Sequence, residues 1–281
     1  MNKIVSKSQF SEKVFKLEVE APLIAKARKA GHFVIVRVDE KGERIPLTIS
    51  DYNIEKGTVT IVTQLIGASS AAIIATQEGE FFNDVVGPLG NPSAFVGMSD
   101  EELKGKKYIF IAGGVGTAPV YPQAKWLHEK GVAVDVIIGA KTKDLLIYKE
   151  ELGSVCDNLY PCTDDGSEGF KGLVTALLEK LVTEDGKEYS QAVSIGPMIR
   201  MKFCTLTCRK LGIPEDVSLN MLMVDGTGMC GACRVTVAGK VKFACMDGPE
   251  FNGYDVDFDE AMRRLGQYKA EEAVEREKNL K

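Results

Sequence analysis

KYIFIAGGVGTAP, residues 107–119, sets an apolar run, a turn with three glycines and a proline one after another. Lys107 to Ala112 reads as a strand buried on both faces, because its apolar residues are continuous instead of alternating. Gly113, Gly114 and Gly116, with Thr117 beside them, let a phosphate-bearing ligand approach the backbone. Pro119 suits the first turn of a helix that continues through Gln123, Trp126 and Leu127. Downstream the pattern repeats: a strand over Ala133–Ile138, a polar helix around residues 143–152, an amphipathic helix over Gly172–Thr183 and a strand over Ala192–Ile195 that ends at Gly196-Pro197-Met198. Alternating strands and helices predict a parallel, doubly wound sheet.

Upstream, residues 13–19, 32–38 and 58–63 alternate polar and apolar side chains between Gly and Pro, which predicts a small antiparallel barrel. Within it stands Arg44-Ile45-Pro46-Leu47-Thr48. An arginine ahead of a proline-stiffened strand can set its guanidinium against a diphosphate, while Thr48 offers a hydroxyl to a flat ring. A strand with a surface arginine is the plain reading of the same residues. Gly67-Ala68-Ser69-Ser70 before AAIIA reads as a serine-capped helix start whose N–H groups and dipole face an anion, or as an ordinary cap. His32 is expected to be a partly exposed strand residue, and Val86 to Pro92 a stiff turn closing the barrel.

The stretch DGTGMCGACRVTVAGKVKFAC, residues 225–245, carries the metal chemistry. Cys230, Cys233 and Cys245 follow C-x2-C-x11-C, with Asp225 five residues ahead of the first. A hairpin around Gly239, with arms over Arg234–Val237 and Val241–Ala244, returns the third thiol to the other two. Three thiolates and a carboxylate suit a [2Fe-2S] cluster, and a closed zinc site is the rival. Val217 to Val224 is expected to lead in as a strand. Cys204 and Cys208, four apart on the next helix upstream, read as core cysteines.

Taken together these residues resemble the ferredoxin reductase superfamily and, within it, the iron–sulfur electron-transfer subunits of bacterial dihydroorotate dehydrogenase. RIPLT is similar to the family's R-x-[YP]-[ST]-[ST] flavin motif, which makes Arg44, Pro46, Leu47 and Thr48 contacts of FAD, with Gly67, Ser69 and Ser70 at its diphosphate. Gly113, Gly114, Gly116 and Thr117 match the nicotinamide-nucleotide turn. Gly196, Pro197 and Met198 match the C-G-P-x-x-M turn at the nicotinamide end, with Ile195 where the cysteine stands. The loop Thr163-Asp164-Asp165-Gly166-Ser167 resembles the family's adenosine-end loop. Asp164 and Asp165 would accept from a free ribose 2′-OH and repel a 2′-phosphate, which favours NAD(H), although Lys141 and Lys143 stand near in sequence to receive that phosphate.

The family spaces four cysteines as C-x4-C-x2-C-x11 to 15-C, and this chain has Asp225 in the first place. An aspartate-ligated cluster of that kind is associated with the small subunit of the electron-bifurcating NADH-dependent reduced ferredoxin:NADP oxidoreductases. The resemblance implies a barrel over residues 1–100, a nucleotide domain over 104–212, an iron–sulfur subdomain over 213–255 and a charged C-terminal helix over 256–281. It implies FAD, a [2Fe-2S] cluster and NAD(H) as cofactors, with Asp225, Cys230, Cys233 and Cys245 as metal ligands. A larger flavin and [4Fe-4S] subunit would complete a heterodimer. The electron-transfer subunit of a dihydroorotate dehydrogenase or a sulfide dehydrogenase is a second reading, and a zinc-stabilised or redox-sensing nucleotide-binding module is one from outside enzymology.

Composition narrows the classes further. The 281 residues, 44% hydrophobic with a net charge of −5, hold no basic footprint for a nucleic acid and no apolar span of membrane length. A signal peptide is not visible either, so a cytoplasmic setting is expected, in which seven cysteines are ligands or reduced core residues. Two histidines exclude a multi-histidine metal centre.

Overall fold

The computed structural model describes residues 1–268 and 270–274. Its first sheet contains β1 (Asn2–Ser11), β2 (Val14–Glu20), β3 (Phe33–Arg37), β4 (Ile45–Asn53), β5 (Thr58–Gln64), β6 (Phe81–Phe82) and β7 (Asp84–Leu89). The strands pair antiparallel in the order β6-β1-β2-β5-β4-β3-β7. Only Asn83 separates the two edge strands in sequence, so the sheet must curl until its edges meet, and the expected barrel forms. Leu17, Val19, Val34, Val36, Ile49 and Ile61 fill its interior. The short helices α1 (Pro22–Ala27) and α2 (Ala68–Ala75) pack against β5.

His32 departs from expectation. It is buried just ahead of β3, and its Nδ1 accepts from the Lys29 N–H at 3.0 Å. Burial, together with the Lys29 and Arg28 charges, lowers its pKa and keeps the imidazole neutral.

A short helix α3 (Asp100–Leu103) leads into the second sheet. There β8 (Lys107–Gly113), β9 (Ala133–Ala140), β10 (Asn158–Thr163), β11 (Phe170–Lys171), β12 (Gln191–Ile195) and β13 (Glu215–Ser218) run parallel in the order β11-β10-β9-β8-β12-β13. The helices are α4 (Thr117–Glu129), α5 (Lys149–Gly153), α6 (Val174–Thr183) and α7 (Met198–Leu211). Side chains of β8 alternate between two cores. Tyr108, Phe110 and Ala112 pack with Val120, Ala124 and Leu127 of α4, whereas Ile109 and Ile111 pack with Leu177, Leu178 and Leu181 of α6. Cys204 and Cys208 are fully buried in that second core. The polar helix expected around 143–152 is broken: Tyr148 takes a left-handed φ of 60° and buries its ring to reach Ser50 Oγ on the barrel at 3.2 Å. A contact distant in sequence overrides the local helical pattern there.

The chain after β13 departs too. The strand stops at Ser218, and Leu219, Met221 and Met223 turn into a third core with Phe33, Ile35, Met198 and Met201. The hairpin β14 (Arg234–Val237) and β15 (Lys240–Phe243) closes through Ala238 and Gly239, both with positive φ, as a tight right-twisted turn requires. Next, β16 (Glu250–Asn252) pairs antiparallel with β13 on the parallel sheet. The expected division at 212/213 therefore falls inside one sheet. Finally α8 (Phe258–Leu265) covers the hairpin, residues 266–268 turn, and helix resumes at 270–274. The rest of the tail helix expected over 256–281, from residue 275 onward, lies outside the described residues, as does 269. No helix among the described residues is long and apolar enough to cross a membrane.

Two carboxyl groups sit at the seams. Glu250 accepts from Ser93 Oγ (3.1 Å), just past the barrel, and from Gln123 Nε2 (2.8 Å) on α4. Glu215, 1% exposed, accepts from Ser194 Oγ, while its Oε2 has no partner among the described residues. Burial, helped by the Asp216 charge, pushes each carboxyl up to about 7 against hydrogen bonds that pull it down. Raised values mean that the folded chain holds these protons better than the unfolded one, so the stabilisation is complete below about pH 4.5 and lost as pH rises through about 7. We expect the Tm, followed by circular dichroism, to decline from pH 5 to pH 8, and Glu215→Gln combined with Glu250→Gln to flatten that decline.

Candidate functional site

A cleft of about 660 Å³ opens where the barrel, the C-terminal edge of the parallel sheet and residues 218–223 meet. That size is ordinary for a cofactor site. Arg44, Pro46, Leu47 and Thr48 form one wall, and Gly113, Gly114, Gly116, Gly196 and Pro197 form the opposite one. The two glycine turns can stand together there only because Gly116 lacks a side chain. A β carbon on Gly116 would lie 2.5 Å from the Ile195 carbonyl oxygen and 2.9 Å from Gly196 Cα.

Other expected residues stand apart from the cleft. Thr117 and Met198, next to the glycine turns, are buried in the packing beneath them. Gly67, Ser69 and Ser70 begin α2 beside Ile66, which does line the cleft. The expected serine cap is reversed: Gly67 is the N-cap, and Ser70 Oγ reaches back to accept from the Ile66 and Gly67 N–H groups at 2.9 Å. Ser69 Oγ donates to Glu43. Asp164 and Asp165 are exposed just past β10. Cys162 pairs with Gly139, and Gly139 with Gly113, so two strand spacings of about 4.8 Å each separate that edge from the glycine turn. Ser167 donates to Asp165 Oδ1 through its N–H (2.9 Å) and its hydroxyl (2.6 Å), which holds the Asp165 pKa below the ordinary value.

The cysteine loop resolves the four expected ligands into two pairs. Cys233 and Cys245 are buried with their sulfurs 3.3 Å apart, and the exposed Cys230 has its Sγ 3.4 Å from Asp225 Oδ1. Among the described residues no three His, Cys, Asp or Glu side chains converge as a set for one metal ion. Two pairs fit a two-iron, sulfide-bridged centre, in which each iron takes two protein donors; a single tetrahedral zinc needs four donors around one point. Partial desolvation pushes the Asp225 carboxyl up, but N–H groups of Thr227 (3.1 Å), Met229 (2.9 Å) and Cys230 (3.1 Å), with the Thr227 hydroxyl and Cys230 thiol, hold it down at about 2. It stays an anion, the form in which a carboxylate binds metal. Burial and the neighbouring Cys233 raise the Cys245 thiol pKa.

Cleft and loop share a wall. Arg44 Nε donates to the Val224 carbonyl (2.8 Å) and Nη2 to the Asp225 carbonyl (3.2 Å). From α8, Arg264 also lines the cleft and donates to the Ala232 carbonyl (3.1 Å). Sequence reasoning missed Arg264, Tyr268 and Arg200 as cleft residues. Arg264 lies on α8 and Tyr268 in the turn after it, in a stretch whose sequence pattern shows only an amphipathic face; Arg200 is marked in sequence solely as a charge just after a turn of glycine, proline and methionine.

The chain is similar to known proteins along its whole length. A profile of the iron–sulfur cluster binding domain of dihydroorotate dehydrogenase B matches residues 220–257. A Thermotoga maritima protein described as a dihydroorotate dehydrogenase B (NAD(+)) electron transfer subunit homolog is 46% identical, over 100% of this chain and 96% of its own length. The corresponding electron transfer subunit of Geobacillus thermodenitrificans is 31% identical over 90% of this chain and 96% of its own. Among solved structures, a chain from the NADH-dependent reduced ferredoxin-NADP oxidoreductase, determined for insight into flavin-based electron bifurcation, superposes with a TM-score of 0.90 and 45% identity, covering 100% of this chain and 98% of that one. A ferredoxin NADP+ reductase of Neisseria gonorrhoeae, 18% identical with a TM-score of 0.59 over 75% of this chain and 90% of that one, shares the fold.

The contact between the glycine turns is testable. Gly116→Ala must push the turn after β8 away from Ile195 and Gly196, at a cost of about 1–3 kcal/mol. Calorimetry should record a lower Tm, and titration a weaker affinity for NADH.

Proposed function

The chain belongs to the family of dihydroorotate dehydrogenase B electron-transfer subunits, and from that premise we propose that it carries electrons between a pyridine nucleotide, FAD and a [2Fe-2S] cluster on behalf of a larger partner subunit. The observation that carries this reading is the shared wall: one arginine, Arg44, lines the cleft and holds the loop of the cysteines. FAD, when held by Arg44, Pro46, Leu47 and Thr48, would supply the exchange between the two-electron chemistry of a nicotinamide and the one-electron chemistry of a cluster.

The chain's own residues then have definite tasks. Arg44 keeps Nη1 free of the two carbonyl bonds that its other nitrogens make, and so offers a cation to the FAD diphosphate, with the Gly67–Ser70 turn beside it. Pro46 and Leu47 supply an apolar surface and Thr48 a hydroxyl for the ring. Gly113, Gly114 and Gly116 expose backbone to the dinucleotide, and Gly196, Pro197 and Met198 shape the nicotinamide end. Asp164 and Asp165 accept hydrogen bonds from the adenosine ribose, which favours NADH. Asp225 with Cys230, and Cys233 with Cys245, hold the cluster. Gly226 and Gly228, both at positive φ, let the loop turn tightly around it. The division of labour follows residues 1–100, 104–212, 213–255 and 256–281, with the nucleotide unit borrowing β16 from the third.

The partner reading rests on relatives named as electron-transfer subunits and on the bifurcating oxidoreductase whose chain superposes along the whole length. On that basis the overall reaction links NADH, NADPH and ferredoxin, with the second subunit a larger flavin and [4Fe-4S] protein. A second reading, service to a dihydroorotate dehydrogenase, is favoured by the names of the 31% identical relatives; dihydroorotate oxidation by the co-purified complex would select it.

Purified anaerobically, the protein should be brown-yellow, with flavin absorption and a reduced-cluster EPR signal. Asp225→Ala should lose or destabilise the cluster while FAD stays bound at unchanged stoichiometry. An intact cluster spectrum in that variant removes Asp225 from the ligand set and leaves it as an organiser of its loop; a colourless, zinc-loaded wild type sinks the electron-transfer reading.

A further inference from the structure

Arg200 lies in the first turn of α7, and its side chain runs from the helix across the glycine turn that follows β8. A β carbon on Gly113 would stand 0.8 Å from Arg200 Nη1 and 2.1 Å from Cζ. The guanidinium therefore fills the space that only a glycine leaves open. Nη1 is shielded from solvent and has no hydrogen-bond partner among the described residues, although the residue lines the cleft. A shielded cationic donor without an acceptor is costly to maintain. A guanidinium also has the fork geometry that pairs with phosphate oxygens.

The direction of the side chain narrows the ligand. Ile195 pairs with Ala112, Gly113 with Gly139, and Gly139 with Cys162, so the ends of β12, β8, β9 and β10 form one continuous edge. Arg200 starts beyond β12, and its guanidinium covers Gly113 at the end of β8. A dinucleotide laid from the Gly196–Met198 turn to the Asp164–Gly166 loop follows the same edge. Its middle, the diphosphate, then falls over Gly113. In the C-G-P-x-x-M pattern that residues 195–200 resemble, Arg200 occupies the methionine place, so this chain sets a cation where the pattern has an apolar side chain.

We propose that Arg200 grips the diphosphate of the pyridine dinucleotide from across Gly113. The inference rests on the nucleotide-binding reading of the cleft and deepens it, by assigning the charge that holds the ligand's centre. Because a diphosphate is common to both nucleotides, this contact contributes equally to NADH and NADPH, and discrimination between them is left to the loop of Asp164 and Asp165.

Isothermal titration of the full-length protein with NADH, NADPH, ADP-ribose and adenosine tests the assignment. Arg200→Met should weaken NADH, NADPH and ADP-ribose by one common factor, roughly ten- to a hundred-fold, with adenosine unchanged. The salt dependence of ADP-ribose binding should fall, and Arg200→Lys should recover part of the affinity. Arg200→Gln, close in length and still a donor, replaces Arg200→Met in the comparison if the latter loses its fold by circular dichroism. Unchanged ADP-ribose affinity in the neutral variant overturns the proposal. A loss confined to NADPH overturns it too, since the charge would then serve the 2′-phosphate, and so does an equal loss for adenosine, which marks general damage. A wild-type protein that binds neither NADH nor ADP-ribose overturns the nucleotide reading itself, a result that the variants cannot mimic.

Discussion

Arg44 occupies a position on which everything else depends. Two of its nitrogens satisfy the carbonyls of Val224 and Asp225, at a point where the chain has left the sheet and has no strand partner for them. Carbonyls at such a turn would otherwise need water, and water there would sit between the cleft and the cysteine loop. The guanidinium closes that gap while keeping its own charge at the cleft wall. Arg264 repeats the device from the opposite side, through the Ala232 carbonyl. The two binding regions are thereby held by side chains that belong to both.

Holding that arrangement needs a rigid junction, which the third core supplies. Phe33 and Ile35 from the barrel, Met198 and Met201 from the nucleotide unit, and Met221, Met223, Cys233 and Cys245 from the loop pack as one cluster. Unbranched methionines adapt to a surface assembled from three directions, as a polarizable and flexible side chain should. Around this core the polar contacts are few and specific. Glu250 joins the end of the barrel to α4, and the Asn91 N–H donates to the Gly248 carbonyl at 2.7 Å. The Val86–Pro92 stretch, read in sequence as a stiff closing turn, is strand β7 as far as Leu89, and beyond it the chain seats the barrel on the segment after Cys245.

Regular elements were legible because their causes are local. Continuous apolar residues at 108–112 gave a strand buried on both faces, and period-two alternation gave the barrel strands. Turn chemistry placed the hairpin at Gly239, and cysteine spacing located the loop. What stayed hidden was set by partners distant in sequence. Tyr148 abandons a helix to reach Ser50, almost a hundred positions earlier. Residues 219–224 alternate between buried and exposed, like a strand, but pack into a core instead of a ladder. Arg44 was legible as a charge near a proline; that it would seat the loop 180 residues away was not. The paired grouping of Asp225 with Cys230 and of Cys233 with Cys245 is likewise a three-dimensional fact that spacing leaves open.

The antiparallel strand β16 has a topological consequence. It pairs directly with β13, Val217 opposite Phe251, so residues 219–249 leave one edge of a sheet and return to the same edge. The metal-binding segment is an excursion whose two ends are anchored side by side, not a bead strung on a linker. An excursion of this kind is fixed to the nucleotide sheet at both ends and cannot drift away on a tether. It also means that removing the segment would leave the order of the parallel strands, β11-β10-β9-β8-β12-β13, unchanged.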